Sequence, residues 1–254
     1  MTVIVAVVGA GRGRGKTTLV EFLTWRFSKN LRVWTVKHVS ESFDVEEKDT
    51  WRHMEAGAEG TIAVGPDGLV VLRHQAEATL ETVIGEVPRD VDLVLVEGFR
   101  EAANSKILVA PSVEEAEEQL GRIRGVFAVS GPIAETNAGG VVQGVPILSP
   151  EELSERLNRM ILEDQIKRLP GIDCKKCGYP SCKALAAAIL NGEAALRDCK
   201  TLQISDLTLM VDDVQVYLSE FPKNFVKNVV LAMTSSLKGV DVGKARRITV
   251  NIQV

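Results

Sequence analysis

The stretch Val3-Ile4-Val5-Ala6-Val7-Val8-Gly9-Ala10-Gly11-Arg12-Gly13-Arg14-Gly15-Lys16-Thr17-Thr18-Leu19-Val20 decides the fold. Its first six residues are a continuous apolar run, which suits a strand buried on both faces of a parallel sheet. Glycines follow at 11, 13 and 15, and then Leu19, Val20, Leu23 and Phe27 recur at helical spacing. Strand, glycine loop and helix come in that order. Residues 10–17 fit the phosphate-loop pattern G-x-x-x-x-G-K-[ST], with Ala10 in place of the first glycine.

Each residue type in the loop answers a physical need. Gly11, Gly13 and Gly15 let the backbone wrap closely enough for its N–H groups to reach phosphate oxygens. Lys16 brings a point charge to the β- and γ-phosphates, and Thr17 brings a hydroxyl to Mg²⁺. The helix that begins there adds its positive end, with Thr18 in its first turn. Arg12 and Arg14 flank the lysine, but no arginine finger is assignable. A magnesium nucleotide site needs a further acid. Glu97 ends the run Asp92-Leu93-Val94-Leu95-Val96, and open α/β sheets bind ligands at the carboxyl ends of their strands. Asp44 and Asp49, after the second strand, are further candidates. Asp92 opens its strand and belongs at the far edge.

Outward from the loop, strands are expected at Leu31–Val36, Asp92–Val96, Ile107–Val109, Val126–Val129 and Val145–Leu148. Helices are expected at Glu46–Ala58 and Ala76–Gly85. A hairpin turns at Gly65-Pro66-Asp67-Gly68, and a helix begins at Ser149-Pro150-Glu151-Glu152 and runs to Leu169. This alternation predicts an α/β P-loop NTPase fold over residues 1–168, with a mostly parallel sheet flanked by helices. Pro170-Gly171 breaks the chain, and residues 169–254 read as a smaller α+β domain. There a helix at Lys183–Asn191, a hairpin at Leu207–Leu218, a helix at Pro222–Leu237 and a last strand at Ile248–Val254 are expected. Phe221, Phe225, Val229, Val230 and Met233 of the long helix read as core or as a partner surface.

The chain has 254 residues, 45% apolar and 25% charged, with a net charge of -4 and a pI near 5.6. That balance argues against a general nucleic-acid or anionic-membrane binder, which needs a basic surface. No apolar run approaches the roughly 18 residues of a membrane span. The first apolar run lacks a basic n-region, so it is read as a strand and a cytoplasmic location is expected. All four cysteines lie between Cys174 and Cys199, which points to a metal site, not a disulfide scaffold. Cys174, Cys177, Cys182 and Cys199 are separated by two, four and sixteen residues. Four thiolates suit a cubane cluster or zinc, and the spacing does not choose between them.

Further words occur in order: Lys37-His38, Phe43-Asp44, Lys48-Asp49-Thr50-Trp51-Arg52-His53, Ala56-Gly57-Ala58 and Leu95-Val96-Glu97-Gly98-Phe99-Arg100. With the phosphate loop, they make residues 3–160 resemble the molybdopterin-guanine dinucleotide biosynthesis adapter family, MobB. The resemblance implies binding and slow hydrolysis of GTP with Mg²⁺, so a weak GTPase at most. It implies a homodimer that assists the molybdenum cofactor guanylyltransferase in joining GMP to molybdopterin, for a molybdenum or tungsten cofactor. It also implies phosphate and Mg²⁺ contact by Gly13, Gly15, Lys16, Thr17, Thr18 and Glu97, with Lys37-His38 and Lys48-Asp49 lining the same cleft. Where the family often has further histidines after the Lys-His pair, this chain has Val39-Ser40-Glu41-Ser42. His38 reads equally as a site residue or as a strand end bonded to a neighbouring loop. The Asn-Lys-x-Asp word of typical GTPases is absent, so GTP over ATP rests on the resemblance.

The stretch from Leu169-Pro170-Gly171 through Cys182, Ala186, Gly192 and Cys199 resembles a small 4Fe–4S domain of corrinoid iron–sulfur proteins and anaerobic electron-transfer subunits. That resemblance makes the four cysteines cluster ligands. Electron transfer, redox sensing and a structural staple stay open as the cluster's role. Two other readings also stay open: a metal- or cofactor-insertion NTPase, and a redox-sensing electron-transfer module with a nucleotide switch.

Overall fold

The computed structural model describes residues 2–11, 13–39, 49–73, 79–88, 90–203, 207–211, 214–218, 220–245, 247–250 and 252. Arg12, Phe43, Asp44 and Lys48 lie outside the described residues. By contact the chain divides into two units, Met1–Asp164 and Gln165–Val254.

In the first unit the elements run β1 Val3–Val8, α1 Lys16–Phe27, β2 Val33–Lys37, α2 Asp49–Glu55, β3 Gly60–Gly65, β4 Gly68–Arg73 and α3 Leu80–Ile84. They continue as β5 Leu93–Glu97, β6 Ser105–Val109, α4 Val113–Leu120, β7 Val126–Ser130, α5 Ile133–Asn137, β8 Val141–Val142 and β9 Val145–Pro146. Helix α6, Pro150–Arg168, follows and carries the chain past the division at Asp164.

Five strands form one sheet in the order β2-β5-β1-β6-β7, and every pairing in it is parallel. The uninterrupted apolar runs are explained by burial on both faces. Val5, Ala6, Val7, Leu93, Val94, Leu95, Val96, Ile107, Leu108 and Val109 are fully buried. Register carries the function: Val7 of β1 and Lys37 of β2 both stand opposite Glu97 of β5. The carboxyl ends of three strands thus bring Glu97, Lys37 and the loop after Val8 to one edge.

Helix α6 starts where a reciprocal cap forms. Ser149 N–H donates to Glu152 Oε2 at 2.8 Å, and Glu152 N–H donates to Ser149 Oγ at 3.2 Å. Leu153, Leu157 and Ile161, one turn apart, form its buried stripe.

The structure departs from the sequence reading in places. Of Val145–Leu148 only Val145–Pro146 forms a strand, paired antiparallel with Val141–Val142, while Ile147 makes a single parallel bridge to Val129. Helices α4 and α5 come in addition to those expected. Strands β3 and β4 pair antiparallel across Gly65 and Gly68, as the turn residues require.

The second unit holds α7 Cys182–Leu190, a short 3₁₀ turn Leu196–Asp198, α8 Lys200–Gln203, the antiparallel pair β10 Leu209–Val211 and β11 Val214–Val216, and α9 Glu220–Ser235. Among the described residues, 247–250 lie outside any strand, so the last strand expected there is not formed over them. No residue of α9 is buried, and Phe221, Phe225, Val229 and Met233 are exposed, which removes the core reading of that helix.

Candidate functional site

Strand β1 runs straight into the phosphate loop. Gly11, Gly13 and Gly15 take φ of +69°, +73° and +87°, a left-handed region that L side chains avoid. Gly15 caps α1 in this conformation, and Lys16 is the first helical residue. The Lys16 ammonium donates to the Gly11 carbonyl across the loop. Burial pushes its pKa below the usual 10.5; Glu97 opposes the shift, while Arg100, Lys37 and Arg14 add to it.

Thr17 faces the end of β5. Its hydroxyl lies 3.1 Å from Glu97 Oε1 and 3.0 Å from Oε2, as donor to the carboxylate. The Lys37 ammonium lies 3.6 Å from Oε2. His38 N–H donates to the Glu97 carbonyl at 2.9 Å, and its ring packs on Phe99 with centroids 4.6 Å apart. Arg14 pairs with Glu115 of α4 at 3.3 Å. Thr18 is exposed in the first turn of α1. The structure therefore gathers Lys16, Thr17, Lys37, His38 and Glu97 at one edge. Asp49 stands apart from them in its contacts: its carboxylate pairs with Arg52 within α2, at 3.5 Å.

The word Glu97-Gly98-Phe99-Arg100 is explained residue by residue. Gly98 has φ +104°, and a Cβ there would sit 2.8 Å from His38 Cβ. Phe99 follows at φ +51°, a strained value for a bulky side chain, with its ring against His38. The double left-handed turn sends Arg100 back over the sheet, where it donates to the Gly9 carbonyl at 3.0 Å and to Gln119 Oε1 at 2.8 Å. Gly98→Ala is expected to destabilise the protein by about 2 kcal/mol through strain and the His38 clash. Thermal unfolding checks this; an unchanged midpoint would contradict it.

In the second unit, left-handed residues Gly171, Asp173, Lys175 and Gly178 curl the cysteine loop. Asp173 Oδ1 accepts from Cys182 N–H at 2.6 Å, and Ser181 caps α7 by accepting from Ala184 N–H at 3.1 Å. Cys199 is buried, which raises its thiol pKa, and Cys177 and Cys182 are in electrostatic reach of it. Cys174 is exposed, and a hydrogen bond from the Thr201 hydroxyl at 3.3 Å lowers its pKa. Among the described residues, no three His, Cys, Asp or Glu side chains are gathered as ligands of one metal ion.

A family model described as MobB, molybdopterin guanine dinucleotide synthesis protein B, matches residues 4–130, half of the chain. The chain belongs to the MobB family. A second model, described as "Putative Fe-S cluster", matches residues 169–201. The chain thus joins a MobB domain to a segment that matches the iron–sulfur cluster model. The "Putative molybdopterin-guanine dinucleotide biosynthesis adapter protein" of Methanocaldococcus jannaschii is 25% identical, over 98% of this chain and 97% of its own. The molybdopterin-guanine dinucleotide biosynthesis adapter protein of Haemophilus influenzae is 33% identical over 102 residues, 38% of this chain and 57% of its own. A solved MobB homologue from Bacillus stearothermophilus is 26% identical and covers 62% of this chain and 97% of its own, with a TM-score of 0.46.

The residues of this MobB-family site fit a hard divalent cation, because a hydroxyl and a carboxylate stand together beside the loop. The donor chemistry of the second unit is that of a cluster, because four thiols lie inside one short segment. Sequence reasoning missed Arg100 and Glu115 as braces of the loop. The Ser112-x-x-Glu115 cap of α4 was the signal for Glu115; its hydroxyl accepts from Glu115 N–H at 3.4 Å. No helix among the described residues is long and apolar enough to cross a membrane.

Proposed function

We propose that this MobB-family protein is a GTP-binding adapter in molybdenum or tungsten cofactor biosynthesis, acting with the guanylyltransferase that joins GMP to molybdopterin. The hydrogen bonds of Thr17 to both Glu97 oxygens carry the proposal. They put a hydroxyl and an acid together at the carboxyl edge of the sheet, next to Lys16.

On binding, the Lys16 ammonium exchanges the Gly11 carbonyl for the β- and γ-phosphate oxygens. The loop N–H groups and the start of α1 hold the remaining phosphate charge. Thr17 and Glu97 would hold Mg²⁺, which when bound neutralises charge on the phosphates. Arg100 fixes Gly9, and Glu115 holds Arg14 beside the loop. Hydrolysis is slow, as the family resemblance implies, and the nucleotide serves to set the adapter's state. Cys174, Cys177, Cys182 and Cys199 would hold a 4Fe–4S cluster. The chain acts as a homodimer; Ile62, Val64, Leu69 and Val70 of the β3–β4 hairpin are exposed apolar residues available to a second copy.

Gel filtration with purified guanylyltransferase tests the adapter role. Co-elution with GTP and Mg²⁺ is expected; failure to co-elute under any nucleotide condition would contradict it.

Two further outcomes follow from the site chemistry. The free-protein pKa of Lys16 is lowered and a triphosphate binds the charged form, so affinity falls as pH rises toward 10.5 and begins to fall earlier than for an ordinary lysine. Titrations between pH 7 and 10 check the direction; constant affinity across that range would contradict it. Cys199→Ser is expected to lower bound iron from about four per chain, because a buried ligand is lost. Iron analysis of anaerobically purified variant and parent decides it.

A further inference from the structure

A cavity lies in the MobB domain, with neither Thr17 nor Glu97 among its lining residues. It has a volume of about 530 Å³, within the range of small-molecule sites. Two segments build it: the β5–β6 connection with the start of β6, and the turn between α4 and β7. Four cationic residues line it, Arg100, Lys106, Arg122 and Arg124, against one acid, Glu101. In a chain whose net charge is -4, that concentration of positive charge selects for anions.

The floor is fixed. Lys106 is 2% exposed, and its ammonium donates to the carbonyls of Ala102, Asn104 at 3.2 Å and Arg124 at 3.0 Å. Those bonds tie the two segments together. Gly125 has φ +78°, and a Cβ there would meet the Asn104 carbonyl oxygen at 2.7 Å, so only glycine lets the segments approach. Arg122 pairs with Glu118 at 3.0 Å. Among the described residues no acid pairs with Arg124, which also lines the cavity. Arg100 links the cavity to the phosphate loop through the Gly9 carbonyl.

We infer that this cavity binds the terminal phosphate of a small phosphate monoester, with Arg124 and Arg122 as the contacting guanidinium groups. A guanidinium fork matches phosphate oxygens in pairs. The choice of ligand rests on the proposed function: making a dinucleotide transfers a nucleoside monophosphate from a nucleoside triphosphate to a phosphate monoester, with release of pyrophosphate, so the chemistry requires a phosphate-bearing acceptor.

The test is calorimetric titration of the full, anaerobically purified chain with 4-nitrophenyl phosphate and, separately, inorganic phosphate. The same titrations are run on Lys16→Ala, Arg124→Ala and Arg122→Ala, with GTP titrated into each sample. The monoester is expected to bind parent and Lys16→Ala alike, and at least tenfold more tightly than inorganic phosphate. Arg124→Ala should weaken it at least tenfold while leaving thermal stability and GTP affinity unchanged. Loss of monoester binding in Lys16→Ala would assign the probe to the phosphate loop and overturn the inference. So would equal affinity for inorganic phosphate, or insensitivity to both arginine variants. Failure of GTP to bind the parent while the monoester still binds would remove the nucleotide reading alone.

Discussion

Lys16→Ala is expected to weaken nucleotide binding by about 100-fold or more. The ammonium is already the loop's internal donor, bound to the Gly11 carbonyl, and it stands one residue from the Thr17 hydroxyl that bonds Glu97. In the bound state it makes charge-assisted hydrogen bonds to phosphate, each contributing about 1.5–3 kcal/mol. Losing two of them weakens binding by about 3 kcal/mol or more, roughly 100-fold. Truncation also leaves the Gly11 carbonyl without its partner, which loosens the loop in the free protein. Calorimetry with GTP and Mg²⁺ measures the loss. An affinity within threefold of the parent would mean that the loop does not hold the triphosphate.

The second large effect is structural. Lys106→Met should lower stability by about 3 kcal/mol, because it removes one buried ammonium and strands three carbonyls, those of Ala102, Asn104 and Arg124. Methionine fills much of the volume, so the change reports the lost hydrogen bonds more than a cavity. For a protein of this size the unfolding midpoint should drop by about 6–12 °C. Burial lowers the Lys106 pKa from 10.5, which shows that the charged form carries a desolvation cost in the fold. A drop below about 2 °C would mean that the carbonyls find other donors, and that Lys106 is not what joins the two segments.

The edge that gathers Lys16, Thr17 and Glu97 was legible because its signals are local. The β1 run, the glycine spacing and Lys16-Thr17 sit within eighteen consecutive residues. Glu97 could be picked out because a parallel strand delivers its last residue to the edge that the loop occupies, and the Val7–Glu97 register supplies that alignment. The four cysteines were legible as a group for the same reason. Lys106 was not. As Ser105-Lys106-Ile107 it looks like an ordinary charged strand start, and its burial depends on carbonyls from two loops that only the fold brings together. Arg100 was hidden for a related reason: its role needs the left-handed Gly98-Phe99 turn, which reverses the chain toward Gly9. Helix α5 has five residues, too few to show a helical period. Residues 247–250 show the opposite error: β-branched Ile248, Thr249 and Val250 favour a strand, yet these described residues form none.

The most direct test of the central claim is a nucleotide titration of anaerobically purified protein, GTP against ATP, with and without Mg²⁺, with iron, sulfide and zinc quantified on the same sample. Mg²⁺-dependent preference for GTP with about four irons per chain is the predicted result. Equal binding of ATP, or zinc in place of iron, would contradict a GTP-binding adapter with a 4Fe–4S domain.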